Sequence, residues 1–381
     1  MSRQTSRRLP TLWQGVRWAL DPHSAGGGTS RVRLAWRAVR ASLGEDKALK
    51  RWMAVVFELR SREVVHDFKG EYLRAIRPYV HRGTGFSQRV VQLVDHMDWL
   101  ETAFHSAAFA QIASGKRLTV VELTPPRGCE FLRLQLQQAP ATSTEGEMFL
   151  TLTLQRSAEL QHKPQPMDVA VLAFSRFRIE GTPCFVIGGV RGQRHPVQRA
   201  SAVEVGAALQ GWKAPVFLVR VAQELARYWN LRLVGLDPAS HRLHGWSYRI
   251  NSRYRTAGEK IFASYRALWD HFEADNGPDG WVILPLNSDE KLAATALSPE
   301  KRARQSRRAD FWLRTRGQLR SELRKLLQRP GADTKLERIT QQLTPSGNMP
   351  LDEFDLQEGL SSTDDFIPSK VLETGPGVLD D

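Results

Sequence analysis

The most informative polar residues of this sequence stand where a strand-like segment ends in glycines. The segment closes with Gly188, Gly189, Arg191 and Gln193. Glycines let a ligand approach the backbone, and a guanidinium pairs with phosphate or carboxylate groups. The pattern predicts a ligand-binding turn. The alternative is a tight turn that carries an exposed arginine.

A second polar group follows the next strand-like segment, Leu231 to Leu236. Asp237 and His241 come just past its end, and His244 lies three residues further on. A carboxylate and an imidazole can relay protons, and Tyr254, which lies between two arginines, can supply a phenol as a general acid. We take Asp237, His241 and Tyr254 as candidate catalytic residues and predict no metal site. The alternative is a structural role for these loop residues.

Several familiar motifs are absent from the sequence. It contains no G-x-S-x-G, no Walker loop and no complete G-x-G-x-x-G. Its two cysteines, Cys129 and Cys184, do not have CxxC spacing, which favours packed thiols over a disulfide or a metal pair.

The elements that must position the polar residues follow from the spacing of apolar side chains. Residues 31–113 repeat them every three or four positions, which predicts a helical layer. Residues 116–193 change to a period of two, and residues 194–290 alternate between helix and strand. The predicted strands of the middle section are Leu118–Leu123, Phe131–Gln137, Met148–Leu154, Asp168–Phe177 and Pro183–Val190.

We therefore predict an α+β fold: a helical N-terminal layer, an antiparallel meander and a C-terminal αβαβ section. The loops between the five middle strands are too short for crossover helices, which favours the meander. A meander followed by helix, strand, helix and strand is the order of acetyltransferase-like folds, so we expect a core of that kind. Its sheet should open between the two halves and leave a cleft floored by Val190 and Leu236.

The two ends of the chain differ from its middle in composition. Residues 1–30 are predicted to be a flexible basic leader, and residues 331–381 a disordered acidic tail with little apolar surface to bury. The tail holds three basic and eleven acidic side chains, a net charge of −8, which leaves +21 on residues 1–330. A basic body attracts phosphate-rich partners, either nucleic acid or an anionic membrane surface.

A basic amphipathic helix is predicted over residues 298–329. It has three interpretations: a helix that lies on anionic lipid, a helix that binds nucleic acid phosphates, or a peripheral helix that packs its leucines on the core. The candidate membrane or phosphate contacts are Arg307, Arg308, Trp312 and Arg316.

The sequence also bears on location. The longest apolar runs, such as Val169 to Phe174, fall far short of the roughly 18 residues that span a bilayer. The N-terminal basic residues are not followed by a cleavage site of small residues. We predict a cytoplasmic protein, peripheral to the inner membrane if it contacts a membrane.

Seven segments carry a resemblance to a known family. Together they extend over about residues 35–320, and the chain resembles the VirK/YbjX family of Gram-negative bacteria. The resemblance implies a role in virulence, stress response or envelope maintenance, and no established reaction comes with it. The segments are Tyr72–Leu100, Glu145–Leu154, Phe185–Gln193, Leu233–His241, Tyr265–Phe272, Asp279–Leu286 and Ser298–Trp312.

Three functions are left open by these observations. The first, from the resemblance, is an accessory protein with protein partners not yet identified. The second is an N- or O-acyltransferase that uses acyl-CoA or acyl-carrier protein, with Arg191 and Gln193 on the donor. A donor loop of the form Q/R-x-x-G-x-G/A is missing after Gln193, which disfavours the second function. Nucleic acid binding, the third, rests on charge alone.

Overall fold

A computed structural model of the chain describes residues 9–24, 31–43, 46–124, 129–156, 166–192, 202–244, 259, 264–286 and 299–327. These residues form an α+β structure around one eight-stranded, mostly antiparallel sheet, which confirms the predicted class. The helices are α1 Leu12–Leu20, α2 Arg31–Leu43, α3 Asp46–Ser61, α4 Phe68–Ile76, α5 Phe86–Ala103, α6 Ser106–Ala113, α7 Ala202–Ala208, α8 Ala214–Tyr228, α9 264–271 and α10 Pro299–Leu326. The strands are β1 Leu118–Leu123, β2 Cys129–Gln138, β3 Met148–Arg156, β4 Met167–Ile179, β5 Thr182–Gly192, β6 Arg232–Leu236, β7 Asp275–Asn276 and β8 Trp281–Ile283.

The sheet confirms the predicted meander. Its strand order is β1-β2-β3-β4-β5-β6-β8-β7, and each of the first five strands pairs antiparallel with the next. β6 then pairs parallel to β5, and β8 pairs antiparallel to β6. β8 is shorter than the strand predicted over residues 281–286. It ends at Ile283 because Pro285, two residues on, has no backbone N–H to donate.

Helix α8 provides the connection between the two parallel strands. It begins with Pro215 in its first turn, where the missing N–H costs nothing. Phe217, Val221 and Leu225 recur at helical spacing and are buried, and the helix packs on β4, β5 and β6. Apolar burial of this kind holds the crossover in place.

The structure corrects one prediction at the N-terminus. Residues 1–30 were expected to be a flexible leader, but α1 forms within them. Thr11 accepts a hydrogen bond from the Gln14 backbone, and the Gln14 side chain accepts one from the Thr11 backbone, so the helix start is capped. Gly15 lies against the Tyr72 hydroxyl, and Trp18 packs edge-on against the Tyr72 ring. The cap and the contacts with Tyr72 together stabilise this helix.

Parts of the predicted organisation fall outside the described residues. These are the acidic tail over residues 331–381, the first eight residues of the leader, and most of the segment between the end of β6 and α9.

Candidate functional site

The candidate site lies where the two parallel strands separate. β5 and β6 pair over four residue pairs that end at Ile187 and Gly235. Beyond them β5 continues along β4 to Gly192, while its pairing with β6 ends. Gly188 is the extra residue of a β-bulge in this strand, because Ile187 and Gly189 face consecutive residues of β4. We call the place where β5 and β6 separate the fork.

Two aromatic side chains from α9 occupy the fork. The Val190 backbone N–H donates to the Tyr265 hydroxyl at 3.1 Å, and the Trp269 indole N–H donates to the Leu236 carbonyl at 2.9 Å. They satisfy backbone groups that a continuing strand pair would have used. The open cleft predicted above Val190 and Leu236 is therefore filled at this level, and that prediction was wrong.

The three described residues of the predicted ligand-binding turn contact Glu145. A Cβ atom at Gly188 would overlap the Glu145 carbonyl oxygen, and a Cβ atom at Gly189 would lie 2.8 Å from Glu145 Oε2. Arg191 Nη1 lies 3.4 Å from Glu145 Oε2. The close approach of Glu145 thus accounts for both glycines. Ligand binding by them stays a prediction, and Gln193 lies outside the described residues.

Glu145 and Tyr265 together bring a base and an acid to the fork. Burial raises the pKa of Tyr265, and the negative charge of Glu145 raises it further. The phenol therefore keeps its proton at neutral pH. Its oxygen already accepts from the Val190 N–H, so its own proton is left for another acceptor. The Glu145 side chain is 30% exposed, although its Oε2 atom is buried.

A buried ion network positions the loop that carries Glu145. Glu147, two residues on, contacts Arg74 Nη1 at 2.9 Å and also binds Arg89. Burial alone would raise the pKa of Glu147, but Arg89 and Arg74 outweigh it and lower the pKa to about 2. Arg74 also donates to the Ala139 carbonyl at 2.8 Å. Helices α4 and α5 thus fix both ends of this loop.

The predicted catalytic residues after β6 have structural contacts. Asp237 Oδ1 accepts from the Ala239 N–H at 2.9 Å, which caps a short 3-10 turn. His241 Nδ1 accepts from the Leu243 N–H at 3.2 Å, and burial lowers the pKa of His241 to about 3. Neither lies at the fork's hydrogen bonds. Tyr254 is outside the described residues, so its role stays a prediction.

The turn after β6 borders a polar pocket of about 560 Å³ that sequence reasoning missed. His81 stacks on Trp281 there, with ring centroids 4.7 Å apart. The His81 Nε2 atom is 2.7 Å from the Asp279 carbonyl and Nδ1 accepts from the Gly83 N–H, so the ring is neutral with its proton on Nε2. The lining comes from α5, the end of β4, the start of β8 and the loops between them, which no local pattern could have brought together.

The basic helix α10 packs on the protein through much of its predicted contact set. Arg308 donates to the Gly211 carbonyl, Arg316 Nε lies 3.0 Å from Glu224 Oε2, and Trp312 packs edge-on against Phe217. Arg307 is exposed. Together with buried Leu319 and Leu323, these contacts favour the interpretation of a peripheral helix packed on the core.

The described residues contain no cluster of three or more histidine, cysteine or carboxylate side chains that could hold a metal ion. None of the helices within them combines the length and the apolarity of a bilayer span.

The fold and the fork define an α+β protein in which a phenol and a carboxylate lie where two parallel strands separate. A sequence profile of the family described as Protein of unknown function (DUF535) matches residues 28–320. The chain therefore belongs to this family, which is the VirK/YbjX family that the sequence resembles. No curated protein and no solved structure matches the chain.

Proposed function

We propose that this protein transfers an acyl group from a carrier thioester, acyl-CoA or acyl-carrier protein, to an amine or hydroxyl acceptor. The observation that carries the proposal is the pair at the fork: the protonated phenol of Tyr265 and the partly exposed carboxylate of Glu145. The proposal moves the chemistry from Asp237 and His241, whose described contacts are local, to these two residues.

The chemistry of acyl transfer matches this pair. Glu145 would take the proton from the acceptor amine or hydroxyl as that atom attacks the thioester carbonyl carbon. The carbon–sulfur bond then breaks, and Tyr265 would donate its proton to the leaving thiolate. The proton that Glu145 took then returns to the Tyr265 phenolate, which restores both residues. The products are the acylated acceptor and the free carrier thiol, so atoms and charges balance without a further reactant. Arg191 would orient the Glu145 carboxylate through its ion pair.

The order of elements supports the same class. The meander β1–β5 is followed by a helical crossover, parallel β6, helix α9 and the antiparallel pair of β7 and β8. This is the order expected of an acetyltransferase-like core. Fold likeness alone does not establish function, so the proposal rests on the side chains at the fork.

The first experiment is a binding measurement on the full chain. Thermal unfolding is followed with a panel of acyl-CoAs and with acylated carrier protein. A donor at 1,000-fold excess over its Kd should add about 4 kcal/mol to the stability of the folded state. Transfer to a panel of amines and alcohols is then measured as release of free thiol. No shift with any donor and no thiol release would reject the proposal.

Paired variants test the assigned roles. Tyr265→Phe and Glu145→Gln should each lower turnover by about 10²–10⁴-fold, the range for loss of one acid or base group. Tyr228→Phe, at the end of α8, and Glu122→Gln, in an exposed ion pair, are the matched controls and should leave turnover unchanged. Equal activity of Tyr265→Phe and the wild type would remove Tyr265 from the mechanism.

The biological setting that we propose follows the family resemblance: a cytoplasmic accessory protein in envelope maintenance, stress response or virulence. Acylation of an envelope precursor would connect this setting with the activity. A strain that lacks the protein should show an envelope defect, such as greater uptake of a hydrophobic dye. Wild-type protein should repair the defect and Tyr265→Phe should not. Full repair by that variant would separate the setting from the activity.

A further inference from the structure

The first two helices carry most of the exposed apolar surface of the described residues. Those residues expose seven large apolar side chains, and five of them lie on α1 and α2. Trp13 is 79% exposed and Trp36 is 64% exposed. Single exposed aliphatic residues need no explanation, but two exposed indoles among aliphatic neighbours indicate a binding surface. We call this set the α1–α2 apolar set: Trp13, Leu20, Val32, Trp36 and Leu43.

The spacing of the set gives each helix a second apolar stripe. On α1 the two members are seven residues apart, and on α2 the three members are four and seven residues apart, so each group lies along one side of its helix. The opposite sides hold the helices on the protein through buried Ala19, Leu34 and Ala38. The exposed stripe is therefore additional to the surface that packs.

The positive charge of α1 and α2 favours an anionic partner for this surface. α1 and α2 together contain five arginines and no aspartate or glutamate, and Arg17 and Arg31 are exposed. Asp21, just after α1, is paired with Lys69 at 2.6 Å. A second copy of this chain docked on the same surface would bring arginines against arginines. An anionic surface would pair with them instead.

We propose that the α1–α2 apolar set docks on an anionic phospholipid bilayer. Trp13 and Trp36 would lie at the headgroup level, where amphipathic rings are favoured, and the exposed Arg17 and Arg31 would contact lipid phosphates. This inference goes beyond acyl transfer and does not depend on it. It also places the membrane contact on α1 and α2 instead of α10, whose Trp312 and Arg316 contact α8.

The test is flotation of the full chain with vesicles of phosphatidylcholine alone or with about one third phosphatidylglycerol. The wild type should float only with the anionic vesicles, and less in high salt. The double variant Trp13→Ser/Trp36→Ser should lower the partition coefficient by about tenfold or more, because both indoles leave the interface. The matched control is Val91→Ser/Leu313→Ser, which changes the two exposed apolar residues outside the set and should float like the wild type.

A second pair of variants separates the two basic surfaces. Arg17→Gln/Arg31→Gln should reduce flotation, whereas Arg307→Gln/Arg314→Gln, on the exposed side of α10, should not. Thermal unfolding of each variant confirms that it is folded. The proposal is overturned if the wild type stays at the bottom of the gradient, if Trp13→Ser/Trp36→Ser floats unchanged, or if only the α10 variant loses binding.

Sedimentation without lipid measures the oligomeric state. A dimer that Trp13→Ser/Trp36→Ser turns into a monomer would assign the surface to a second copy instead.

Discussion

Two glycines at the fork show how closely β5 and the loop that carries Glu145 approach each other. Gly188 lies under the Glu145 carbonyl, and Gly189 lies under the Glu145 carboxylate. Neither glycine has a positive φ, so the requirement is for space and not for an unusual backbone conformation. Any side chain at these positions must displace the loop that carries the proposed base.

Gly188→Ala should therefore destabilise the protein. Its methyl group would meet the Glu145 backbone, which cannot move aside as the end of a flexible side chain can. We expect a loss of about 1–3 kcal/mol in the free energy of unfolding, the usual cost of overpacking. Gly192→Ala on the same strand is the control, since nothing lies within 4 Å of its Cβ position. Urea unfolding of both variants provides the measurement, and equal midpoints would contradict the assigned contact.

Glu147 forms ion pairs with two buried arginines. Glu147→Gln keeps the shape of the side chain but removes the carboxylate partner of Arg89 and leaves Arg74 with Glu71 alone. We expect a loss of about 3–5 kcal/mol in unfolding free energy, as for a broken buried ion pair. Glu122→Gln, in an exposed pair with Arg133, should cost less than about 1 kcal/mol. Similar losses for the two variants would contradict the importance of the buried network.

Among the elements, α10 owes its position to one carboxylate on its neighbour. Glu224 of α8 is almost fully buried, and it binds Arg316 and Arg320 of α10 as well as Arg227 of its own helix. Buried Leu319 and Leu323 lie at helical spacing on the same element. This attachment explains why a strongly basic helix packs on the body of the protein.

Glu224→Gln should loosen α10 without unfolding the sheet. The arginines are partly exposed and can be solvated, so we expect a moderate cost of about 1–3 kcal/mol. Amide hydrogen exchange should speed up along α10 and stay unchanged in β3 and β4. Glu322→Gln, which breaks only the exposed pair with Lys325, serves as the control. If exchange along α10 is unchanged in Glu224→Gln, other contacts hold the helix.

The first and last residues of the strands show how much of the fold a local sequence pattern can predict. β1 begins and ends where the alternation predicts, at Leu118 and Leu123, and the other meander strands are one or two residues longer at most of their ends. Alternation is local, so the sequence contains it. α1 has a local signal in its capping box of Thr11 and Gln14, which the prediction of a leader overlooked, whereas its packing against Tyr72, more than fifty residues away, is not local.

For the whole molecule, two buried neutral histidines should make stability fall in acid. Burial lowers the pKa of both His96 and His241 to about 3. The unfolded chain takes up their protons near pH 6.5, while the folded chain does not, so stability is complete above that pH and falls toward pH 3. Each histidine should contribute about 1.4 kcal/mol per pH unit within this window.

The measurement is the urea midpoint at pH 7, 6, 5 and 4. His96 accepts a hydrogen bond from the Arg176 backbone at 3.0 Å, and the amide oxygen of a glutamine can replace this acceptor. His96→Gln should therefore remove the share of His96, which is about half of the pH dependence that the two histidines give to the unfolding free energy between pH 6 and pH 4. A wild-type midpoint that does not change from pH 7 to pH 4 would contradict the buried, neutral state of both rings.

The candidate site was only partly predictable. Sequence reasoning found β5 and β6, but it expected the space above Val190 and Leu236 to be open, where the structure places the side chains of Tyr265 and Trp269. Glu145 had no signal of its own, because it is one carboxylate in a loop. Its importance comes from residues far away in sequence, Arg74 and Arg89, which hold the neighbouring Glu147.

Taken alone, the sequence determined the α+β class, the five-stranded meander and the family. These depend on apolar periods of two and 3.6 residues and on short ordered segments, all of which are local properties of a chain. The tertiary structure decided which side chains meet: Tyr265 with Val190, and Glu145 with Arg191. Such pairings join residues tens of positions apart, and their energies depend on burial and distance, which no local pattern contains.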